Sequence, residues 1–456
     1  MDKKIDQVTA ELRSYLPDVK QKSVVVLLHD VENPAPYMQL LNDASQTILF
    51  TNSSSTYKQI DNEKLPKTNN VILNCAEFKN CELQPNSADV GVMIKSFNLL
   101  SVKEKESVLS KLLTVLSDDA YCFVYEKEWI KDNENHSSTP IDLINYFHSS
   151  TSKHSDNKTN YGFALVSVRP LQTYVQLKSE PFHLCFLFKK VHYIDAPETL
   201  RDFLDQQQYS KNSVLRYEKI FGPGFVSTGG LDTTKEFVAT LDLKPEHRVL
   251  DIGAGIGGGD IFIAKTYGCS VIGVDLSTNM VGIAWERLLG LTDAKIKVSF
   301  EIGDVMKLEY DNNSFDVVYS RDCILHIQDK HELFTRIYNW LKPGGKLFIT
   351  DYCCGKKPWS KDYEAYVNDR RYNLLTVQEY GKYLEDVGFK QVEPVDGTNR
   401  FADCLKVELE RINSMKNEFI SEFSDEDYKH LVDGWESKLA RTSEGHQRWG
   451  IFRATK

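Results

Sequence analysis

Apolar and polar positions along the second half of this chain fall into two alternating kinds of block. Short apolar runs at 249–252, 270–274, 298–302, 315–319 and 345–351 read as strands. Between them, 260–267, 278–288 and 330–341 space their apolar residues three and four apart, as one face of a helix does. Strands alternating with helices at this spacing predict a parallel, doubly wound sheet. Pro343-Gly344-Gly345 predicts the turn from a helix into the fifth strand. The stretch 447–455 predicts one more strand, closing the sheet.

The first half repeats the rhythm. Strands are expected at 23–29, 48–52, 70–75, 89–94 and 120–126, an amphipathic helix at 103–116, and a final strand at 182–191. Residues 133–159 are rich in Ser, His and Asn and predict a mobile loop. A helical linker at 196–208 leads into the second half. At 456 residues the chain is long enough for two domains, 1–195 and 196–456.

Composition adds exclusions. Hydrophobic residues at 41% and charged residues at 26% describe an ordinary globular protein. A net charge of −10 argues against a general nucleic-acid binder, though not against a local basic pocket. No apolar run reaches the ~18 residues of a membrane span. The opening Met-Asp-Lys-Lys-Ile-Asp has no apolar core, so no secretory signal is expected. Nine cysteines lack metal spacing and suggest reduced thiols in the cytoplasm. Asn52-Ser-Ser and Asn157-Lys-Thr are then chance matches to a glycosylation pattern. Neither CxxC nor HExxH occurs, so no metal is expected.

The candidate chemistry starts at Arg248-Val-Leu-Asp-Ile-Gly-Ala-Gly-Ile-Gly-Gly-Gly259. A strand runs into five glycines, Gly253, Gly255, Gly257, Gly258 and Gly259, with Asp251 on the strand side. Such a turn lets a nucleotide-like ligand approach the backbone with no Cβ in the way. Asp275 ends the second strand, where these folds place the acid that holds a ribose. This pair does not separate NAD from S-adenosylmethionine. Gly303-Asp304 after the third strand, Arg321-Asp322 after the fourth and the Pro-Gly-Gly turn favour S-adenosylmethionine as an ordered set. By itself, Asp251 or Asp304 reads better as a cap or turn residue. The corresponding place in the first half, 28–36, has no glycine, so that half reads as the same architecture without its cofactor loop.

Further motifs follow the glycine loop or flank it: Tyr217-Glu218, Phe221-Gly222, Ser227-Thr-Gly-Gly230, Tyr319-Ser-Arg-Asp322, Leu325-His326, Ile349-Thr-Asp-Tyr352, Asp433-Gly-Trp435 and Gln447-Arg-Trp-Gly450. With them, residues 209–456 resemble the phosphoethanolamine N-methyltransferase family of nematodes, plants and malaria parasites. The missing loop in the first half resembles the nematode second-type enzyme. The resemblance implies two Rossmann-like class I methyltransferase domains, the first degenerate. It implies S-adenosylmethionine-dependent conversion of phosphomonomethylethanolamine and phosphodimethylethanolamine to phosphocholine, for phosphatidylcholine synthesis. A variant reading adds phosphoethanolamine or another small amine as acceptor, with the first half a binding or scaffold module. A monomer is expected, acting in sequence with a separate first-step methyltransferase.

The chemistry of the residues suggests His326 and Asp322, and the resemblance assigns the others. His326 is the general base, a histidine titrating near working pH. Asp322, four residues earlier, holds the ammonium and shares a face with His326 if the segment is helical. Tyr209 forms a dyad with His326 and closes the site. The cofactor falls to Gln208, Tyr217, Val226, Ser227, Asp251, Gly253, Gly255, Asp275, Leu276, Asp304, Val305 and Arg321. Valine 226 and leucine 276 are conservative replacements of family isoleucines. The phosphate falls to Arg370 and Lys438, with the hydroxyls of Tyr352, Tyr366 and Tyr372, and Arg321 as a further cation. Clustered tyrosines also suit methylated ammonium groups. Tyr363 and Tyr383 read as packing.

Overall fold

The computed structural model describes residues 2–456 except 29, 30, 32, 33, 52, 54, 55, 57, 59, 61–69, 75–77, 128, 130–138, 154–159, 177–181, 193–197 and 292–295. The chain forms two compact units, Met1–Glu198 and Thr199–Lys456. The expected boundary at 195/196 lies outside the described residues, as do both glycosylation-pattern asparagines and parts of 28–36.

The first unit contains strands β1 (Ser23–Leu28), β2 (Gln46–Phe50), β3 (Asn70–Asn74), β4 (Ala88–Ile94), β5 (Leu116–Glu126), β6 (Thr151–Lys153), β7 (Asn160–Pro170) and β8 (Leu184–His192). Its sheet runs β3-β2-β1-β4-β5-β8-β7. The strands β1 to β5 are parallel, and β8 is antiparallel to both neighbours. Two expectations need correction. The expected loop 133–159 contains the helix Pro140–Ser149 and β6. Thr139 caps that helix with Asp142, Pro140 opens it, and Leu143, Ile144 and Phe147 form its buried stripe. The polar flanks outweighed this short periodic core in the sequence. β7 was also unread. A bulge between Leu165 and Ser167 shifts its phase, so Phe163, Leu165 and Val168 do not keep strict alternation.

The second unit contains β9 (Arg248–Ile252), β10 (Ser270–Asp275), β11 (Val298–Ile302), β12 (Phe315–Arg321), β13 (Leu341–Cys354), β14 (Lys390–Asp396) and β15 (Gln447–Thr455). Its order is β11-β10-β9-β12-β13-β15-β14, the same as in the first unit. Five strands are parallel and β15 is antiparallel to β13 and β14. The chain end therefore does not close the sheet; β14 does. Residues 390–396 are exposed along most of their length and carry Pro394, the marks of an edge strand that buries little. The order reverses between β9 and β12, and an open α/β sheet holds its ligand at the strand ends there.

Helices added around this sheet build the rest of the unit. Leu200–Phe203 continues into a single π-helical turn, Leu204–Gln208. Lys211–Phe221 and Gly230–Val238 precede β9. Lys361–Asp369 and Val377–Val387 lie between β13 and β14, and Thr398–Ser414, Lys416–Glu422 and Asp425–Ser443 between β14 and β15.

Candidate active site

At the carboxyl end of β9 the backbone turns through Gly253, Gly255 and Gly257, all at positive φ (85°, 55° and 79°). Space forbids side chains as well. A Cβ on Gly253 would stand 2.3 Å from Cys323 Sγ, and one on Gly258 2.0 Å from the carbonyl oxygen of Gly224. The turn borders a cleft of about 1110 Å³, open mouth included. Val226, Ser227, Asp251, Gly253, Gly255, Asp275, Leu276, Asp304, Val305, Arg321 and His326 all line it. Asp251 is buried, and its Oδ1 has no hydrogen-bond partner. Burial raises its pKa to about 8, against the pull of Arg321. Asp275 accepts the N–H groups of Gly255 (2.9 Å) and Ser277 (2.8 Å), and burial raises its pKa to about 6.

Arg321 is a brace. Its five N–H donors go to Thr350 Oγ1, Thr234 Oγ1, Tyr319 Oη, the Thr228 carbonyl and Thr233 Oγ1. The expectation that it also binds phosphate is corrected on that ground. Its charge still faces Asp251.

A second cavity, about 1120 Å³, is lined by Tyr352, Tyr366, Arg370, Tyr372 and Lys438 together with Trp435 and Arg441. Tyr209, Val226 and Asp322 line both cavities. Gln208 and Tyr217, expected in the cofactor set, line this second cavity and not the first. The π turn ends at Gln208, whose amide donates to the Tyr209 hydroxyl at 3.0 Å, and Tyr217 sits against the Trp435 ring. Arg370 and Arg441 both face the Tyr366 ring, at 5.8 and 3.8 Å from its centre. Lys438 Nζ sits 3.7 Å above the Trp435 ring. Burial, with Arg370 and Arg441 nearby, lowers the Lys438 pKa, and Glu408 opposes this.

Asp322 and His326 do not share a helical face. Asp322 has a left-handed backbone (φ 50°), and only the single 3-10 turn Ile324–His326 follows. The Asp322 carboxylate accepts the Thr228 N–H (3.0 Å), the Thr350 hydroxyl (2.9 Å) and the Trp449 indole N–H (2.8 Å). The 3-10 turn is clamped from below. Lys330 Nζ donates to the Ile324 and Ile327 carbonyls, and Asp351 accepts the Leu325 N–H. His326 is buried with neither ring nitrogen hydrogen-bonded. Burial first, then the charges of Lys330 and Arg370, lower its pKa to about 3. Tyr209 meets it edge to face at 6.2 Å between ring centres, a ring contact rather than a hydrogen bond.

Sequence reasoning gave no role to Trp435, Glu408, Arg441 or Trp449. Trp435 and Trp449 stand inside motifs already noted. Glu408 had a legible signal: the buried stripe of its helix is Thr398, Phe401, Cys404, Leu405, Glu408 and Ile412, with a carboxylate among apolar groups. Arg441 had none, since nothing in the sequence separates it from surface arginines.

Residues 229–393 match the family model for a methyltransferase domain. Phosphoethanolamine N-methyltransferase 3 of Arabidopsis thaliana is 41% identical over 423 residues, 91% of this chain and 85% of that protein. The Plasmodium falciparum phosphoethanolamine N-methyltransferase is 40% identical over 259 residues, 56% of this chain and 96% of that protein. Among solved structures, Haemonchus contortus phosphoethanolamine N-methyltransferase 2, in complex with phosphomonomethylethanolamine and S-adenosylhomocysteine, is similar with a TM-score of 0.82 and 28% identity. That likeness covers 100% of this chain and 99% of the other.

Proposed function

The chain belongs to the phosphoethanolamine N-methyltransferase family, and we propose that its one active site is the pair of joined cavities in the unit Thr199–Lys456. It is an S-adenosylmethionine-dependent methyltransferase of phosphobases. The observation that carries the placement is the sharing of Tyr209, Val226 and Asp322 by a glycine-walled cleft and a cationic aromatic pocket. A methyl donor in the first and an amine in the second would meet at those residues.

The cleft fits the cofactor. The glycine wall leaves no side chain in the way, the unpartnered Asp251 oxygen suits an ammonium group, and Asp275 and Asp304 suit ribose and adenine. When bound, the cofactor supplies an electrophilic sulfonium methyl group. Gly253, Gly255, Val226, Ser227, Leu276 and Val305 hold it by shape, and Arg321 braces the loop behind it.

The acceptor's phosphate is taken by Arg370 and Lys438 with the hydroxyls of Tyr352, Tyr366 and Tyr372. At the other end the amine arrives protonated. With a lysine-like pKa of ~10.4, freeing its lone pair at about pH 7.4 costs roughly 4 kcal/mol. Asp322 holds the ammonium; three donors fix its carboxylate, so the charge arrives already oriented. His326 takes the proton, its nitrogens being unengaged. At a pKa of about 3 the ring is neutral and a weak base. Arg370 is one of the charges that depress it. A phosphate on Arg370 offsets that one charge and so raises the basicity of His326, burial remaining the larger cause of its low pKa. The aromatic walls receive the methyls as they accumulate. Tyr209 and Gln208 close the space between the two cavities.

The first unit is read as a copy of the same fold with no cofactor turn, supported by its identical strand order and by the absence of glycine from 28–36. Its role is as a binding or scaffold module, and the protein is read as monomeric and cytoplasmic. The later methylations are read as its task, following a separate first-step enzyme. Mass spectrometry of products from phosphoethanolamine and its mono- and dimethyl derivatives tests this. Phosphocholine from the two methylated acceptors alone is expected. Turnover of phosphoethanolamine at the same rate would contradict the restriction.

A further inference from the structure

Glu408 is buried at 1% exposure on the helix Thr398–Ser414. One carboxylate oxygen accepts the Gly229 N–H at 2.7 Å, and the other the Trp435 indole N–H, also at 2.7 Å. Gly229 belongs to the loop that puts Ser227 in the cofactor cleft and gives the Thr228 N–H to Asp322. Trp435 carries the Lys438 ammonium on its ring face. A single indole therefore has the carboxylate on its edge and the ammonium on its face. Gly229 cannot yield easily: it has φ 73°, and a Cβ there would stand 2.3 Å from Thr233 Cγ2.

We propose that Glu408 is a positioning residue for the phosphate end of the pocket: through Trp435 it seats Lys438 and supplies a counter-charge to its ammonium, and through Gly229 it anchors the loop of the cofactor cleft to the same point. The proposal deepens the phosphobase reading and rests on it.

The surroundings of Lys438 make the charge necessary. Arg370, from the end of the helix Lys361–Asp369, and Arg441, one turn along the helix of Lys438, both repel it. Phe221, Tyr352 and Trp435 strip its water. Opposing these are Glu408 and, more weakly, Asp322 at the end of β12. His430 and Asp433 also line the pocket. Glu408 in turn faces Lys438 and Arg411, and burial raises its own pKa. Without the Glu408 charge, Lys438 loses its proton at lower pH and with it the attraction for a phosphate dianion.

Phosphocholine is the suitable probe, because its quaternary ammonium does not titrate. Its dissociation constant is measured by calorimetry from about pH 5.5 to 9 on the intact chain, with S-adenosylhomocysteine present, a window that brackets the Lys438 pKa of about 7; the probe's own phosphate titration is common to every variant. The parent weakens as Lys438 deprotonates. In Glu408→Gln the midpoint of that weakening moves down by about one pH unit, the usual effect of removing one nearby opposite charge. In Lys438→Met the step disappears, with or without Glu408→Gln. Glu408→Asp keeps the charge and the midpoint while affinity falls, which gives a second variant if the glutamine form does not fold. An unchanged midpoint in Glu408→Gln, or a one-unit shift in Glu408→Asp, overturns the proposal. Failure of phosphocholine to bind the parent chain overturns this and the phosphobase reading together.

Discussion

Asp322 sits in a left-handed turn that a non-glycine residue rarely adopts, and three donors hold it there. The Trp449 indole is one of them. Trp449→Phe keeps an aromatic ring, though a smaller one, and removes the N–H, so the carboxylate loses a charge-assisted bond worth ~1.5–3 kcal/mol in stability studies. A fall in kcat/KM of about tenfold or more is expected in steady-state assays, with S-adenosylhomocysteine affinity held; lost cofactor affinity with intact turnover would contradict the role. His326 gives a pH prediction. Its pKa is lowered from 6.5 to about 3, so between these values the unfolded chain binds the extra proton. Its neutral burial is without cost above the unfolded value and destabilising as pH falls toward the folded one. Between about pH 7.5 and 5.5 the parent should lose roughly 1.4 kcal/mol more stability than His326→Gln, by urea unfolding; equal losses would contradict the shift. At this scale the acids at the strand ends, Asp251, Asp275 and Asp304, were legible because their motifs are local, whereas Arg370 and Lys438 were reached only through the family resemblance. The partners that orient them were not: Trp449 lies 127 residues from Asp322, and Glu408 179 from Gly229.

The glycine turn is the element on which the cleft depends. Gly253→Ala places a methyl into Cys323, the residue next to Asp322, and strains a backbone at φ 85°. About five- to thirtyfold weaker S-adenosylhomocysteine binding is expected by calorimetry, from a strain of roughly 1–2 kcal/mol; unchanged binding would contradict the tight wall. The parallel strands and the helices between them were legible because each buries a periodic face. Edge strand β14 was not, since seven mostly exposed residues carry little pattern. The helices that form the second cavity were also missed, although Asp425–Ser443 carries both Trp435 and Lys438. Its polar residues hide the few that face inward.

Across the whole molecule, one strand order occurs twice, and the glycine turn and joined cavities belong to the second unit. Residues 199–456 expressed alone should bind S-adenosylhomocysteine and turn over the phosphobase at a rate close to that of the intact chain. A folded but inactive fragment would place part of the site elsewhere. The two-unit plan was legible from the repeated rhythm, while β7 and the helix Pro140–Ser149 were hidden by a bulge and by polar flanks. No described helix is long and apolar enough to cross a membrane. On the proposed reading a phosphate pocket and a methyl-donor cleft share one set of residues, and the phosphate strengthens the base. This is tested by the steady-state kcat and KM of the intact chain for phosphomonomethylethanolamine and for unphosphorylated monomethylethanolamine. A large loss of kcat as well as a raised KM is predicted for the unphosphorylated amine; equal rates would contradict the account.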